Sequence, residues 1–250
     1  MDTTAIQRAL VALGYPLPKF GADGSFGAET GVAVNNFQRD NDLPVTALPD
    51  HATVAALHAA VARKSAAGQP GGGWGAIPAD WMPAAQMNRV IVHWTAGNHR
   101  ASGLDRRHYH ILIEGDGKFV RGIPSIDKND ARGVKPGYAA HTLNCNTGSI
   151  GVSLCCMAGA VERPFKAGTA PMTRAQWDAL PAVLVDLCRR YSIAVTPRTV
   201  LSHAEVQGTL GIKQRGKWDI TRLAFDLAVV GATACGDHFR SSTSSLLSSL

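Results

Sequence analysis

The sequence lacks several features that would assign its 250 residues to a specialised class. Its Lys and Arg residues form no long run, so the net charge of +6 is the sole support for nucleic-acid binding. The longest late apolar run, "LAVVGATAC", is far shorter than the roughly 20 residues that cross a bilayer. The N-terminal stretch "MDTTAIQRALVALGY" has neither the basic nor the long apolar segment of an export signal. We therefore expect no stable membrane insertion and no self-directed export.

The cysteines do not form the pattern of a disulfide framework. They are odd in number and include no C-x-x-C pair; the five are Cys145, Cys155, Cys156, Cys188 and Cys235. Free, mostly buried thiols in a reducing compartment are expected. Apolar residues make up 45% and charged residues 18%, which is ordinary for a globular protein. The positive charge then favours a polyanionic partner such as a negatively charged cell envelope.

Hydrophobic periodicity divides the chain into four parts. Residues 1–64 carry three helical stripes separated by loops rich in Gly and Pro, which predicts a small three-helix domain. Residues 65–82, "SAAGQPGGGWGAIPADWM", have the composition of a linker. Over residues 83–236 strand-like and helical segments alternate, which predicts an α/β domain with a mixed central sheet flanked by helices. Residues 237–250 are low in complexity, and we expect a flexible tail.

Four segments of the α/β part matter most for function. The run "RVIVHWT" predicts a strand, "HYHILIEGDGKFVRGI" a hairpin, and "RTVLSHAEV" a short strand that ends in a histidine. The run "DITRLAFDLAVV" predicts a last helix. Functional groups gather where strands end and loops begin, so the histidines at these ends are the first candidates for chemistry.

A metal site is one interpretation of the strand ends. His93 and His203 each end an apolar run, and Asp219 follows in "RGKWDI". Two histidines and one carboxylate form a catalytic zinc set, with three protein ligands and a fourth position open. From spacing alone, each histidine could equally be a polar cap of the core, and Asp219 could be the N-cap of a helix starting at Ile220.

Three further polar groups are candidates from position. Lys217 lies two residues before Asp219, so on an extended segment it shares the same face and could stabilise an oxyanion, or it is an ordinary surface lysine. Tyr109 could donate a proton or orient water. Its neighbours His108 and His110 form a His-x-His pair, which is a rival metal site unless His110 is buried and hydrogen-bonded. His141, in a polar loop, suits either substrate contact or turn formation.

Taken together, these blocks resemble a known family. The segments "VIVHWTAG", "HYHILIEGDGKFVRG", "AAHTLNCNTGSIGVSL", "LSHAEV" and "GKWD" occur in the order found in type-2 N-acetylmuramoyl-L-alanine amidases, which share their fold with the peptidoglycan recognition proteins. The resemblance covers about residues 85–227. The N-terminal segments "IQRALVALGY" and "DGSFGAETGVAVNNFQ" are similar to a three-helix peptidoglycan-binding domain.

The resemblance implies a role for each candidate residue. His93, His203 and Asp219 correspond to the ligands of a Zn²⁺ ion, and Lys217 corresponds to a lysine that assists the transition state. Tyr109 corresponds to the tyrosine of phage-type members. In addition, two residues are expected to contact substrate: His141 and Trp94.

Two departures from the family pattern are visible. Many relatives carry a catalytic glutamate where this chain has Ser153, which favours a proton role for Tyr109. Relatives often have Pro-Gly after the ligand aspartate, whereas Ile220 follows Asp219 here. The second change alters the local backbone and leaves the ligand in place.

The resemblance implies a modular phage or prophage endolysin that hydrolyses the amide between N-acetylmuramic acid and L-alanine. Its partner would be peptidoglycan, with no nucleic acid, and we expect a monomer. The enzyme would stay in the host cytoplasm until lysis and then reach the periplasm and cell wall. Access would require a separate membrane-permeabilising protein.

Two other classes remain open from the sequence. A non-catalytic peptidoglycan recognition protein would keep the fold without cutting, although such relatives typically lack the third ligand. A glycosidase would need two carboxylates flanking the scissile bond. Candidate carboxylates for that chemistry are present, but no pair falls in a recognisable frame: Glu114, Asp116, Glu162 and Glu205.

Overall fold

The structure is a computed structural model that describes residues 2–67 and 75–250. The chain divides into two compact units, Met1–Ala76 and Ile77–Leu250, and each is described by itself. No helix within the described residues has the length and apolar character needed to cross a membrane. All five cysteines are buried and unpaired, as the odd count and spacing predict.

The first unit is a three-helix domain, as predicted. Its helices are α1 (Thr3–Leu13), α2 (Ala28–Asp40) and α3 (His51–Ala67). Asp2 caps α1 by accepting a hydrogen bond from the Ala5 amide, and Gly14 ends the helix in the left-handed conformation that glycine adopts without strain. One stripe from each helix forms the core, which includes Ile6, Leu10, Val34, Phe37 and Leu57.

The second unit begins earlier in the chain than the predicted boundary at residue 83. Ile77 is buried in its core, and the Ile77 amide donates to Asp186 Oδ2 at 2.8 Å. A short 3₁₀ helix, Ala79–Trp81, follows, and Met82 is also buried. Of the predicted linker, residues 65–67 belong to α3, and residues 68–74 lie outside the described part of the chain.

A five-stranded mixed sheet forms the centre of the second unit, as predicted. The order is β3–β2–β4–β1–β5, and all neighbours are parallel except the antiparallel β2–β3 hairpin. The strands are β1 (Arg89–Trp94), β2 (Ile111–Ile113), β3 (Phe119–Arg121), β4 (Ser149–Leu154) and β5 (Val200–Ser202). Helices accompany the sheet: α4 (Asp105–His108), α5 (Arg174–Tyr191), α6 (His203–Leu210) and α7 (Ala232–Ser248).

Strand β1 lies inside the sheet, and its successive side chains point alternately to the two faces. Val90, Val92 and Trp94 join the main hydrophobic core, which also contains residues of α5 and α7. Ile91 points to the other face, where it packs in a smaller cluster with Leu201 of β5. His93 shares the face of Ile91 at the carboxyl end of the strand, so its imidazole leaves the sheet beside the start of α6.

The predicted last helix at residues 219–230 is wrong. The segment forms a two-stranded antiparallel hairpin of β6 (Arg222–Leu223) and β7 (Asp226–Val230). Paired β-branched residues, Val229 and Val230, favour extended backbone, and Gly231 with φ of 103° redirects the chain into the next helix.

The predicted flexible tail is also wrong, because residues 237–248 belong to α7. The helix buries one side of its surface, formed by Cys235, Gly236, Phe239, Arg240 and Thr243. That spacing is a helical stripe, and burial of the large Phe239 anchors it in the main core. The serine-rich composition concealed the stripe because most of its members are small or polar.

Candidate metal centre and active site

Three side chains from separate elements meet at the carboxyl edge of the sheet. His93 ends β1, His203 opens α6, and Asp219 lies in the loop before β6. The distances are 3.1 Å between the two Nδ1 atoms, 3.2 Å from His93 Nδ1 to Asp219 Oδ2, and 3.1 Å from His203 Nδ1 to the same oxygen. All three residues are buried. The structure thus brings together the three residues that the sequence proposes as ligands.

A chain of hydrogen bonds determines the tautomer of His93. The carbonyl oxygen of Ser149 can only accept, so His141 Nε2, 3.3 Å away, carries a proton. His141 Nδ1 is then an acceptor in the neutral ring, and His93 Nε2 lies 3.2 Å from it. The Thr142 hydroxyl donates to His141 Nδ1 at 2.8 Å, and its oxygen lies 3.3 Å from His93 Nε2 as an acceptor. His93 Nε2 therefore donates, and its Nδ1 keeps a free lone pair directed at His203 and Asp219.

His203 is fixed in the same way by Gln214. The amide nitrogen of Gln214 donates to the carbonyl oxygen of Leu143 at 2.8 Å, so its Oε1 must be the atom that faces His203. His203 Nε2 donates to that oxygen at 2.9 Å, which leaves Nδ1 without a proton. Both imidazoles thus present lone pairs to the same point.

The donor set fits a zinc ion. Two neutral imidazole lone pairs and a carboxylate oxygen converge with no proton between them, an arrangement that repels itself unless a cation lies among the three. Tetrahedral bonds of about 2.0–2.1 Å separate donor atoms by roughly 3.3 Å, close to the spacing described above. The outer ring nitrogens also have neutral side-chain partners that hold the rings in place: His141 and Thr142 for His93, and Gln214 for His203.

Burial and charge set the protonation states of these groups. Burial lowers the pKa of His93 to about 4, and the neighbouring Asp219 carboxylate opposes this shift only in part. Burial likewise lowers the pKa of His141, with the neighbouring His93 and His110 adding to the effect. Burial alone would raise the pKa of Asp219, but the two adjacent imidazoles, His203 and His93, outweigh it and lower the pKa to about 2. A neutral His93 beside an ionised Asp219 is a combination that binds a cation.

The N-cap alternative for Asp219 does not hold, because no helix starts at Ile220. Instead, the carbonyl oxygen of Asp219 accepts a hydrogen bond from the Ala204 amide at 2.7 Å. This bond ties the Asp219 loop to the first turn of α6. The carboxylate is therefore held next to His203 by backbone as well as by side-chain contacts.

Two of the three donor residues, His203 and Asp219, line a cleft of about 840 Å³, and His93 lies buried behind them. Tyr109, Lys217, Trp94 and His141 all line it, so each of these proposed site residues has access to the same space. Asp219 is the single carboxylate among the described residues that line the cleft.

Comparison with known proteins agrees with this geometry. Residues 83–219, more than half of the chain, match the N-acetylmuramoyl-L-alanine amidase family. The chain belongs to that family. Residues 2–57 match a peptidoglycan binding domain. The family match ends at Asp219, the third member of the donor set, and covers all five strands of the central sheet.

Individual relatives match over shorter lengths. A stretch of 60 residues is 43% identical to the N-acetylmuramoyl-L-alanine amidase CwlL of Bacillus licheniformis, which is 24% of this chain and 17% of that protein. A probable N-acetylmuramoyl-L-alanine amidase of the same organism is 45% identical over 64 residues, or 26% of this chain and 18% of its own length. The chain thus spans less than a fifth of these curated relatives.

Two solved structures are similar at low overall score. The endolysin amidase LysCS of Clostridium intestinale has 17% identity and a TM-score of 0.32, with 52% of this chain and 86% of that chain covered. The amidase AmiD of E. coli, solved with a muramoyl-peptide substrate, has 24% identity and a TM-score of 0.31, with 48% and 50% covered. Family membership therefore rests on the sequence match.

Within the amidase-family unit, Lys217 and Tyr109 occupy different positions relative to the donors. Lys217 is exposed on the cleft and free to approach a substrate oxygen. Tyr109 is partly buried, with its ring centroid 5.1 Å from that of His93. Burial and the charge of Asp219 raise the pKa of Tyr109 above its ordinary value, so it is a neutral hydrogen-bond donor at neutral pH.

Trp94 and His141 reach the cleft from inside the fold. Trp94 is buried and packs edge-on against Trp218 with ring centroids 4.7 Å apart, which forms an apolar wall. His141 is 7% exposed, and its ring nitrogens contact the Thr142 hydroxyl, His93 and the Ser149 carbonyl. The geometry gives His141 a clear role in orienting His93, while substrate contact by either residue stays a prediction.

The rival His-x-His site does not form. His110 is buried; it accepts from the Gly151 amide and donates to Asn129 Oδ1, each at 3.0 Å, as the buried-histidine interpretation requires. His108 ends α4 and is exposed, with Nδ1 near the Ala140 carbonyl oxygen. The sequence predicts that the strand begins at residue 108, but in the structure β2 begins at Ile111.

Two site-shaping residues escaped the sequence analysis. Gln214 holds His203, and buried Asn129 binds the carbonyl oxygens of Ala139 and Asn146. Those bonds fix the loop that carries His141. A lone amide side chain has no spacing signature, so only the tertiary contacts identify these residues.

Proposed function

We propose that the chain is a zinc-dependent N-acetylmuramoyl-L-alanine amidase that hydrolyses the bond between N-acetylmuramic acid and L-alanine in peptidoglycan. The observation that carries the proposal is the convergence of three unprotonated donors, His93 Nδ1, His203 Nδ1 and Asp219 Oδ2, beside an open cleft that His203 and Asp219 line. Membership of the amidase family supplies the substrate class.

The three donors would hold the zinc ion, and the cleft would hold the muramoyl-peptide amide. When bound at such a site, zinc supplies Lewis-acid polarisation of a carbonyl and an activated water at neutral pH. His141 and Gln214 keep the two imidazoles in the tautomers that bind metal. The protein thus needs no further movement of protons to assemble the ligands.

Lys217 and Tyr109 would act on the substrate itself. The Lys217 ammonium stabilises negative charge on the carbonyl oxygen as it develops, and its exposure allows it to reach that oxygen. Tyr109, which remains protonated, donates a hydrogen bond to the reacting group and orients it. Ser153, paired with His93 across β1 and β4, provides no carboxylate for this task.

The N-terminal domain would tether the enzyme to its insoluble substrate. A wall-binding module raises the local concentration of the catalytic unit without contacting the scissile bond. In this proposal the enzyme is a monomeric phage or prophage endolysin. It stays in the host cytoplasm until another protein permeabilises the membrane, and then acts in the periplasm and cell wall.

A glycosidase mechanism has little geometric support. Glu114 and Glu205 are paired with Arg100 and Arg240 respectively, and neither lines the cleft. With Asp219 as the single carboxylate among the described cleft residues, the two-carboxylate arrangement is missing there.

The test is mass spectrometry of the products released from purified peptidoglycan. We expect new L-alanine amino termini, and we expect them to disappear on treatment with a zinc chelator and in His93→Ala. His108→Ala is the matched control, since it removes an exposed histidine of the same unit, and it should cleave like the wild type. Reducing sugar ends that survive chelation would indicate a glycosidase, and tight wall binding without products would indicate a recognition protein.

A further inference from the structure

A buried ion pair lies behind His203, and its arginine, Arg240, belongs to a part of the chain beyond the family match. Arg240 of α7 binds the carboxylate of Glu205 through two hydrogen bonds, Nη2 to Oε1 at 2.8 Å and Nη1 to Oε2 at 3.2 Å. Arg240 is 6% exposed and Glu205 is 5% exposed. Buried charges need close to complete hydrogen bonding to be tolerated, so this geometry constrains both side chains.

Glu205 is placed to control the first turn of α6. His203 is the first residue of that helix, and the Glu205 carboxylate reaches back to accept a hydrogen bond from the Ser202 amide at 2.7 Å. His203 therefore lies inside the loop that this bond closes. The orientation of the carboxylate fixes the backbone from which the imidazole projects toward Asp219.

Arg240 also binds the strand that precedes His203. Its Nη1 donates to the carbonyl oxygen of Val200 at 2.9 Å, and Val200 pairs with Val90 of β1. One guanidinium thus holds the start of β5 and, through Glu205, the start of α6. Its remaining partner, Asp237, has a side chain that is 63% exposed and is bound at 2.8 Å.

Gly236 allows the close approach that this contact requires. A Cβ atom at position 236 would collide with both carboxylate oxygens of Glu205. Those oxygens cannot move aside freely, because they are held by Arg240 and the Ser202 amide. A methyl group at this position therefore displaces the carboxylate while leaving every charge in place.

We propose that Arg240 is a positioning residue for His203, acting through Glu205, and that α7 belongs to the metal-binding apparatus. The proposal rests on the zinc site put forward above. Loss of the guanidinium frees the first turn of α6, so His203 Nδ1 no longer stays at its distance from His93 and Asp219. The consequence is weaker zinc binding without any change to a ligand.

The experiment measures the zinc dissociation constant of the full-length protein by competition with a chromogenic chelator. Arg240→Met and Gly236→Ala should each weaken zinc binding about 10–100-fold, the range found when supporting partners of metal ligands are removed. Arg240→Lys keeps the positive charge but cannot make the paired hydrogen bonds to the Glu205 carboxylate, so an intermediate loss of zinc affinity is expected. Asp237→Asn, the matched control, removes the exposed partner alone and should stay within about twofold of wild type.

Two further readouts separate positioning from general stability. The amidase activity of Arg240→Met should recover toward the wild-type kcat when zinc is raised, because the catalytic groups themselves are intact. Melting of the metal-free proteins measures stability separately. If Arg240→Met does not fold, Gly236→Ala and Arg240→Lys carry the test.

Unchanged zinc affinity in Gly236→Ala and the Arg240 variants, whatever their melting temperatures, would overturn the proposal. A wild-type protein that binds zinc and releases L-alanine termini while these variants bind equally well would leave the proposed function intact. A wild-type protein that binds no zinc would overturn both the proposed function and the role of Arg240.

Discussion

Gln214 and His141 each hold one of the two donor histidines in place. Each binds the outer nitrogen of an imidazole, and neither carries a charge that competes for a cation. Their effect is to select one tautomer out of two, which a ligand of the correct residue type does not guarantee by itself. The chemistry of His93 and His203 therefore depends on neighbours as much as on their own positions.

Replacement of Gln214 tests tautomer selection directly. In Gln214→Leu the His203 Nε2 proton loses its acceptor, so the ring is free to place the proton on Nδ1 or to turn. We expect zinc affinity to fall about 10–100-fold, measured by chelator competition. Gln7→Leu in the other unit is the control for loss of a buried amide, and equal losses in both variants would argue against a local effect.

Replacement of Tyr109 tests its proton role. Tyr109→Phe removes the hydroxyl and keeps the ring beside His93, so zinc affinity should stay near wild type. We expect kcat to fall by roughly 10²-fold, the scale of a single positioned proton donor, with KM little changed. Steady-state kinetics on a soluble muramoyl peptide measures this, and an unaltered kcat would remove Tyr109 from the mechanism.

At the scale of the secondary-structure elements, strand β4 lies close to two histidine rings, those of His141 and His110. Strand β4 passes directly under His141: a Cβ atom at Gly151 would lie 2.6 Å from the ring carbon Cγ of His141. The backbone amide of Gly151 also donates a hydrogen bond to His110 Nδ1. A small residue on this strand is thus a condition for the contact between the His141 loop and the sheet.

Gly151→Ala should displace His141 from His93. We expect weaker zinc binding and a lower melting temperature, since the added methyl group has no space among buried rings. Calorimetry with and without zinc measures both effects. Gly208→Ala on α6, where an added Cβ meets nothing within 4 Å, is the control and should not lower the melting temperature. A wild-type zinc affinity in Gly151→Ala would show that the His141 contact is dispensable.

Sequence patterns predicted these elements unequally. Thr173 and Gln176 have the three-residue spacing of a capping box, a local pattern, and the structure contains that box at the start of α5. The apolar residues of segment 222–230 suit both the helical and the strand period, so the sequence predicts a helix where the structure has a hairpin. Arg240 could not have been found, since its partner Glu205 lies 35 positions away and no periodicity links them.

At the scale of the whole molecule, buried neutral histidines make stability depend on pH. Burial lowers the pKa of His93 and of His110 to about 4, from the ordinary value of 6.5. Between these values the unfolded chain binds protons that the folded chain does not. The free energy of unfolding therefore rises with pH across this window and falls as the pH drops from about 6.5 toward 4.

We expect the metal-free protein to lose several kcal/mol of stability between pH 7 and pH 4.5, at about 1.4 kcal/mol per pKa unit for each group. Urea unfolding at the two pH values measures the loss. A His110→Gln variant should show a smaller pH dependence than wild type. Equal stability at both pH values would mean that these histidines are protonated in the folded state.

The two units should contribute separately to activity. Removing residues 1–76 leaves the second unit with its own core, so a soluble muramoyl peptide should be cut at the wild-type rate. On intact peptidoglycan we expect the rate to fall 10-fold or more, because the tether is lost. Turbidity loss of cell walls and peptide hydrolysis measure the two activities. Equal losses on both substrates would mean that the first unit supports catalysis itself.

The donors of the metal site come from distant parts of the chain, with 126 positions between His93 and Asp219. During synthesis, a ribosome adding roughly 5–20 residues per second needs several seconds to proceed from the first to the last of them. A nascent chain that ends before Asp219 does not contain all three donors. Under the proposed function, a growing chain cannot complete its zinc site until most of it has been translated, so incomplete translation products would not cut peptidoglycan.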